Sequence, residues 1–417
     1  MNSNLLKMDA SANNLCVERI GIAKLTKLAF DGINLHPLKE ELLKEIADPA
    51  VGAGAAMDLS VIVQLLGDKE SGLAIQKKIL AHGRVYRSPC ASATPSLRLL
   101  AFAAAIDMGG NTPLEFLLED SDVELLTLYV VPGLPLPDPL PEHDIAIVAV
   151  PDSDETRKVL TEIDKVLPHW PRPVLNMPRK IASLDRDSFC ELLQSVPSLE
   201  IPVTARVSRE ELFEIEEQII ELQSVLEDGV FPLIIRPIGS HAGRGLGKLE
   251  KPTDINEYLL DRPEEEFFIS RYIDYRSADG LYRKYRIVFV DGRPYACHMA
   301  ISDQWKIWYL NADMDKSAEK RTEEEKFMVA FDEAFAARHH AALAEIVARV
   351  GLDYFAIDCA ETKNGALFVF EGDNAAIVHN MDPPDVFPYK APQMRKIFGA
   401  FITMLYDHVR DAQTHAA

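Results

Sequence analysis

Apolar residues recur at helical spacing in LKEELLKEIA, LSVIVQLLG and GLAIQKKILAHG, with Gly67, Gly72 and Gly83 where such helices would stop. The spacing predicts a helical region over residues 1–120; no internal period marks it as a repeat array. The pattern changes at residues 121–175. There VELLTLYVV and IAIVAV are uninterrupted apolar runs, as buried parallel strands read, and DETRKVLTEIDKVL returns to helical spacing. The intervening PGLPLPDPLP predicts a stiff loop, because proline fixes φ and cannot donate to a sheet. A small α/β unit is the expectation for this stretch.

From residue 176 to 417 the elements are mixed. Helix (DRDSFCELLQSV), strand (IPVTARV), helix (REELFEIEEQIIELQSVL) and strand (FPLIIRPI) lead into a glycine-rich loop. After it come the strand EFFISRYI and the hairpin YRIVFVDGRPYACHMAI, whose Asp-Gly suits a tight turn. A charged segment at 311–327, a helix around 328–350 and two strands, YFAIDCA and ALFVFEGD, joined by ETKNG, follow. The fold class expected is α+β to α/β, in two or three domains, since 417 residues exceed one ordinary domain.

Composition narrows the partners. Apolar residues make up 47% and charged residues 26%, values of a folding chain. The net charge of −21 argues against nucleic acid or an anionic membrane as a general partner, because both are polyanions. No apolar run is long enough to span a bilayer; LLAFAAAIDMGG is broken by Asp107. The first twenty residues lack the pattern of a secretory signal, so the expected location is the cytoplasm. The five cysteines are scattered without a CxxC and read as buried thiols.

Two constellations carry chemistry. In PLIIRPIGSHAGRGLGKL, Arg236 ends a strand and Gly239, Gly243, Gly245 and Gly247 follow, with Ser240, His241 and Arg244 among them. Glycines let backbone N–H groups approach phosphate oxygens, while arginines add charge; a glycine-rich hairpin with solvated arginines is the plainer alternative. His241 is a candidate for touching phosphate or substrate. The second is the carboxylate set Asp358, Glu371 and Asp373. Glu371 and Asp373 stand two apart on a strand and so share a face, and Asp358 ends the preceding run. Converging carboxylates repel unless a cation joins them, and hard oxygen ligands suit magnesium bound with phosphates; a solvated acidic sheet end is the alternative. Trp305, Trp308 and Tyr309 cap a pocket or simply pack, EKRTEEEKF is a solvated helix start or a lid, and His339 and His340 read as helix surface.

The order of these elements and residues resembles the ATP-grasp superfamily, close to the carboxylate–amine ligases related to the ribosomal-protein glutamate ligase (RimK-like). The resemblance runs from about Asn176 to the C-terminus, and residues 121–175 resemble the α/β domain that precedes the ATP-grasp domain. It implies a fold of two α+β subdomains holding ATP between them. Asn176, Pro178, Asp185, Arg186 and IPVT match the family's opening motif, with Arg186 in place of its first phosphate-binding lysine. PLIIRPIGSHAGRG matches the second, with Arg236 again replacing lysine. The backbone at Arg271, Tyr272 and Ile273 falls where the family recognises adenine. Arg286, with Lys284 beside it, falls where the family's arginine meets the transferred phosphate. Asn311 falls at the substrate-loop asparagine, without the two glycines that usually follow. Asp358, Glu371 and Asp373 fall at the metal ligands, with Asn374 an alternative to Asp373.

What the resemblance implies is an ATP-dependent ligase with two magnesium ions, manganese being an alternative. A substrate carboxylate would attack the γ-phosphate to give an acylphosphate, which an amine then converts to an amide or peptide-like bond. The acid and amine could be small molecules or peptides, and a homo-oligomer is compatible with the family. Two alternatives stay open: a non-catalytic nucleotide-binding module, motivated by the lysine replacements, and a phosphotransferase on the same scaffold.

Overall fold

The computed structural model describes residues 16–48, 51–240 and 243–416. Six strands form the first sheet: β1 (Val17–Glu18), β2 (Val85–Arg87), β3 (Leu97–Ala104), β4 (Val123–Val130), β5 (Ile145–Val148) and β6 (Val174–Leu175), in the order β1-β2-β4-β3-β5-β6. β3 to β6 run parallel, and β3, β4 and β5 are buried almost throughout, which is why they read as continuous apolar runs. Four helices, Ile22–Phe30, His36–Glu45, Gly52–Leu65 and Lys69–Leu80, precede β2 and pack in two apolar clusters, one of which takes in Tyr86, Ala103 and Tyr129 of the sheet.

The helical reading of the first 120 residues is corrected here: β2 and β3 lie inside that stretch and belong to the same sheet as β4 to β6. LRLLAFAA has no period that separates a buried strand from a buried helix, and only pairing with β4 and β5 settles it.

The chain then makes β7 (Leu199–Glu200) and a four-stranded antiparallel sheet of β8 (Thr204–Ser208), β9 (Leu233–Pro237), β10 (Gly247–Leu249) and β11 (Glu266–Arg271), ordered β10-β9-β11-β8. Helices Arg209–Glu216 and Asp254–Leu259 cover one face of this sheet and close a separate small core. The first of them is set by a capping box between Ser208 and Glu211.

A third sheet combines β12 (Tyr282–Val290), β13 (Arg293–Ser302), β14 (Tyr354–Glu361) and β15 (Leu367–Asp373) with β7, in the order β13-β12-β14-β15-β7. Asp291 and Gly292 make the expected tight turn, both with positive φ (48° and 73°). The largest core is continuous from the parallel sheet through this third sheet to the long helix Lys390–Ala416. The mixed α/β character expected from the sequence is what the structure has. Among the described residues no helix is long and apolar enough to cross a membrane.

Candidate functional site

Register places the charged residues of the third sheet abreast. His298 on β13 pairs with Arg286 on β12, Arg286 with Asp358 on β14, and Asp358 with Glu371 on β15. Directly opposed residues share a face, so one transverse row carries an imidazole, a guanidinium and two carboxylates. Lys284 and Asp373 stand two residues from this row, on the same face.

Each carboxylate of the row has a cation. Arg286 donates to Asp358 through Nε (2.8 Å) and Nη2 (3.1 Å), and Lys284 Nζ lies 2.7 Å from Asp358 Oδ2. Burial alone would raise the Asp358 carboxyl, but Arg286 and then Lys284 outweigh it and hold it well below the usual range. Glu371 is held down in the same way: burial opposes ionisation, and Arg186 followed by Lys284 overcomes it. Asp373 lacks such a partner; burial pushes its carboxyl up to about 6 although the Ala375 N–H donates to it at 2.6 Å. Burial, then Arg286 and Lys390, hold the His298 imidazole far below its ordinary value, so it is neutral.

The four-stranded sheet presents the opposing wall. Arg206, Phe268 and Arg236 are paired across β8, β11 and β9. Arg236 donates through Nε to Ser240 Oγ at 3.2 Å and reaches across to Glu371, its Nη1 3.9 Å from Oε2. Arg186 opens the helix Arg186–Leu193 behind its N-cap Asp185 and also bonds Glu371. Burial and the neighbouring Arg186 push the Arg236 guanidinium down to about 10, still charged at neutral pH. A cleft of about 380 Å³ opens here, lined by Arg186, Arg236, Gly239, Ser240, Phe268 and, from the loop after β5, Asp152 to Asp154. Arg186 and Arg236 stand in this lining among three aspartates, Asp152, Asp154 and Asp185.

The glycine loop borders this cleft. Gly239, Gly243 and Gly245 all have positive φ (71°, 70° and 67°). At Gly245 a side chain is excluded twice, by φ and by the Pro237 ring 2.5 Å from where a Cβ would sit. The segment after β13 closes on this loop: Lys306 donates to the Leu246 carbonyl at 2.9 Å, and the Trp308 ring lies 3.5 Å from the Cβ position of Gly243. His241 lies outside the described residues.

Three of the expected site residues already have partners within the protein. Asn311 has its amide engaged in its own turn, donating to Lys306 O (3.0 Å) and accepting from the Trp308 N–H (2.9 Å). Asp358, expected at the metal, has both oxygens engaged by Arg286 and Lys284, as Glu371 is engaged by Arg186 and Arg236; among the described residues no three carboxylate, imidazole or thiol groups converge to hold an ion by themselves. Of the backbone expected to meet adenine, the Tyr272 N–H donates to Pro232 O at 2.8 Å, while the Arg271 side chain turns to Asp228 (2.7 Å) and Glu200 (3.1 Å). The alternative Asn374 is 1% exposed and donates to Val150 O at 3.0 Å, which leaves Asp373 as the residue that shares the face of Glu371. His339, read as helix surface, is buried against Glu361 at 2.7 Å.

Other residues escaped the sequence reading. Glu324, inside the charged segment, is 0% exposed and accepts from the Met299 N–H, Tyr309 and Tyr389, with Lys390 3.7 Å away. Nothing in EKRTEEEKF distinguishes it from its solvated neighbours. Asp152 had a signal: it follows the apolar run of β5, and crevices form beyond the carboxyl ends of parallel strands.

No family model matches the sequence, and no curated protein matches it. Among solved structures, the chain is similar to a RimK-domain ATP-grasp protein from Sphaerobacter thermophilus, with 16% identity and a TM-score of 0.43 over 75% of this chain and 99% of that one. It is similar to the D-alanine–D-alanine ligase from Coxiella burnetii, with 9% identity and a TM-score of 0.46 over 77% and 98% of the two chains. The VanG D-Ala:D-Ser ligase from Enterococcus faecalis gives 11% identity and a TM-score of 0.43 over 74% and 100%.

Proposed function

We propose that the chain is an ATP- and magnesium-dependent ligase of the ATP-grasp kind, which activates a carboxylate as an acylphosphate for attack by an amine. The observation that supports this reading is a linked set of ion pairs: Arg186 and Arg236, which line the cleft, both reach Glu371, and beside Glu371 in the sheet Lys284 and Arg286 hold Asp358. Phosphoryl transfer asks a protein mainly for positioning and for charge opposite the developing negative oxygens. In this reading Arg186, Arg236 and the glycine loop hold the β- and γ-phosphates. Asp358 fixes the planes and positions of Arg286 and Lys284, which face the transferred phosphoryl group and then the tetrahedral intermediate.

The residues fit a magnesium ion on the chemistry of their donors. Glu371 and Asp373 are hard oxygen ligands on one face, and too few protein ligands converge for a closed cage, which matches an ion that completes its shell with phosphate oxygens and water. When bound, the ion would neutralise phosphate charge and so raise the electrophilicity of phosphorus. Its arrival would release Glu371 from Arg186 and Arg236, freeing both guanidinium groups for phosphate.

Isothermal titration with ATP, with and without magnesium, tests the reading, followed by an ADP-release screen of acids and amines. Magnesium-dependent binding lost in Glu371→Gln, with ADP release needing both an acid and an amine, is the expected result. Binding without ADP release under any pairing would favour a nucleotide-binding module instead. Absence of ATP binding would remove the proposal altogether.

A further inference from the structure

Segment 305–311, which follows β13, lies on the glycine loop through Lys306 and Trp308, and charge opposes that contact. Among the described residues Lys306 has no carboxylate partner; its ammonium meets only the Leu246 carbonyl, at 2.9 Å. Burial, then Arg262 and Arg236, pull that ammonium below the usual lysine value. Two like charges push Lys306 off the loop, so the segment is held from elsewhere. Tyr275 fixes its start, donating to the Trp305 carbonyl at 2.6 Å. Beyond Lys306 the hold comes from Tyr309.

The Tyr309 hydroxyl donates to Glu324 Oε2 at 3.0 Å and accepts from Lys390 Nζ at 2.5 Å, two charged groups that are both buried. Glu324 also accepts from the Met299 N–H on β13 (3.0 Å) and the Tyr389 hydroxyl (2.6 Å), and Lys390 reaches Asp382 Oδ2 beyond β15 (3.2 Å). Helix Ala318–Val329, β13, the loop after β15 and the start of the long helix thus meet at one hydroxyl of the segment. Burying such a pair costs desolvation that its mutual attraction barely recovers, so its presence is explained better by the geometry it fixes than by stability. What it fixes is a residue three places from Lys306, whose ring also stands 4.9 Å from that of His298 at the end of the charged row.

We propose that Glu324 and Lys390 are positioning residues for the nucleotide cleft: through the Tyr309 hydroxyl they hold segment 305–311 against the glycine loop, with Lys306 facing Arg236 and Arg262. The role rests on the ATP reading given above. Phosphate oxygens arriving at the loop relieve the repulsion among these three cations, and a segment already held does not have to be ordered at the moment of binding. Releasing the segment therefore weakens nucleotide binding without removing any group that meets the nucleotide.

The test is limited trypsin digestion of the full chain, with cleavage after Lys306 followed by mass spectrometry, beside calorimetric titration with magnesium and ATP. Tyr309→Phe keeps the ring and removes the hydroxyl. It should speed cleavage after Lys306 and weaken ATP binding, each by about fivefold or more. Tyr389→Phe removes a hydroxyl from the same carboxylate but outside the segment. It should leave both readings within about twofold of wild type, whatever it does to the melting temperature. Equal effects of the two substitutions would mean that the network holds the core and not the segment. Unchanged cleavage in Tyr309→Phe, or faster cleavage with unchanged ATP affinity, would likewise overturn the proposal. Wild-type protein that binds no ATP would sink the nucleotide reading instead, and the cleavage rate alone would then decide whether this hydroxyl holds the segment.

Discussion

Arg286 and Asp358 occupy paired positions on adjacent strands and meet in a two-pronged ion pair, 2.8 and 3.1 Å long, in a region of sheet where Asp358 is 5% exposed. Lys284 closes on the same carboxylate, so removing its charge strands two cations at once. Asp358→Asn is expected to cost about 3–5 kcal/mol at pH 7, the usual penalty for breaking a buried pair from one side. Urea unfolding measures it. The sign with pH follows from the depressed carboxyl: its contribution is present above the unfolded value of about 4 and is lost as pH falls below it. The gap between wild type and Asp358→Asn should therefore narrow in acid; a constant gap would mean that packing, not charge, is what the variant disturbs.

Arg236 spans the two walls of the cleft, holding Ser240 on its own side and facing Glu371 on the other. Arg236→Ala is expected to weaken ATP binding by about 1.5–3 kcal/mol, the worth of a charged hydrogen bond. Arg236→Lys should recover part of that, because a lysine keeps the charge and loses the planar fork. Calorimetric dissociation constants for the three proteins check the order. An affinity unchanged in Arg236→Ala would remove the glycine loop from the phosphate site.

How far the sequence reads through to this site depends on how local each signal is. The facing of Asp358 and Glu371 was legible because alternation fixes which residues share a face and ETKNG fixes that β14 and β15 meet, whereas the pairing that brings Arg286 abreast of them joins segments far apart in the chain. Alternation puts Asp373 on the face of Glu371, but the partner of Asn374 was not legible: Val150, more than two hundred positions distant, takes its amide. β3 failed for a related reason, since a strand buried on both faces shows no period at all. Glu324 is buried by Tyr309, Tyr389 and Lys390, all contributed from outside its helix, and the run of charges around it carries no mark of that.

Asn311 shows the limit of motif order. It stands where a substrate ligand was expected, yet its side chain bridges Lys306 O and the Trp308 N–H. Asn311→Ala is accordingly expected to change KM for either substrate by less than about threefold and to lower stability by about 0.5–1.5 kcal/mol through the lost turn bonds. Steady-state kinetics beside thermal melting distinguishes the roles: a large KM effect with unchanged stability would restore Asn311 to the substrate site.

Asp373 is the carboxylate whose ionisation the fold resists, because burial outweighs its bond from the Ala375 N–H and the attraction of Arg286, and Glu371 and Asp358 add repulsion. In metal-free protein its carboxyl sits at about 6, above the unfolded value of about 4. A carboxyl raised on folding favours the folded state while protonated, so its contribution is present below pH ~4 and is lost as pH rises through about 6. Asp373→Asn cannot ionise and escapes that loss. Measured in a chelator, the variant should gain stability relative to wild type as pH is raised from 4 to 7 and hold a constant difference beyond. Urea midpoints across that range decide the matter: a difference that shrinks with rising pH would mean that Asp373 is stabilised as an anion, and a second cation near it would have to be found.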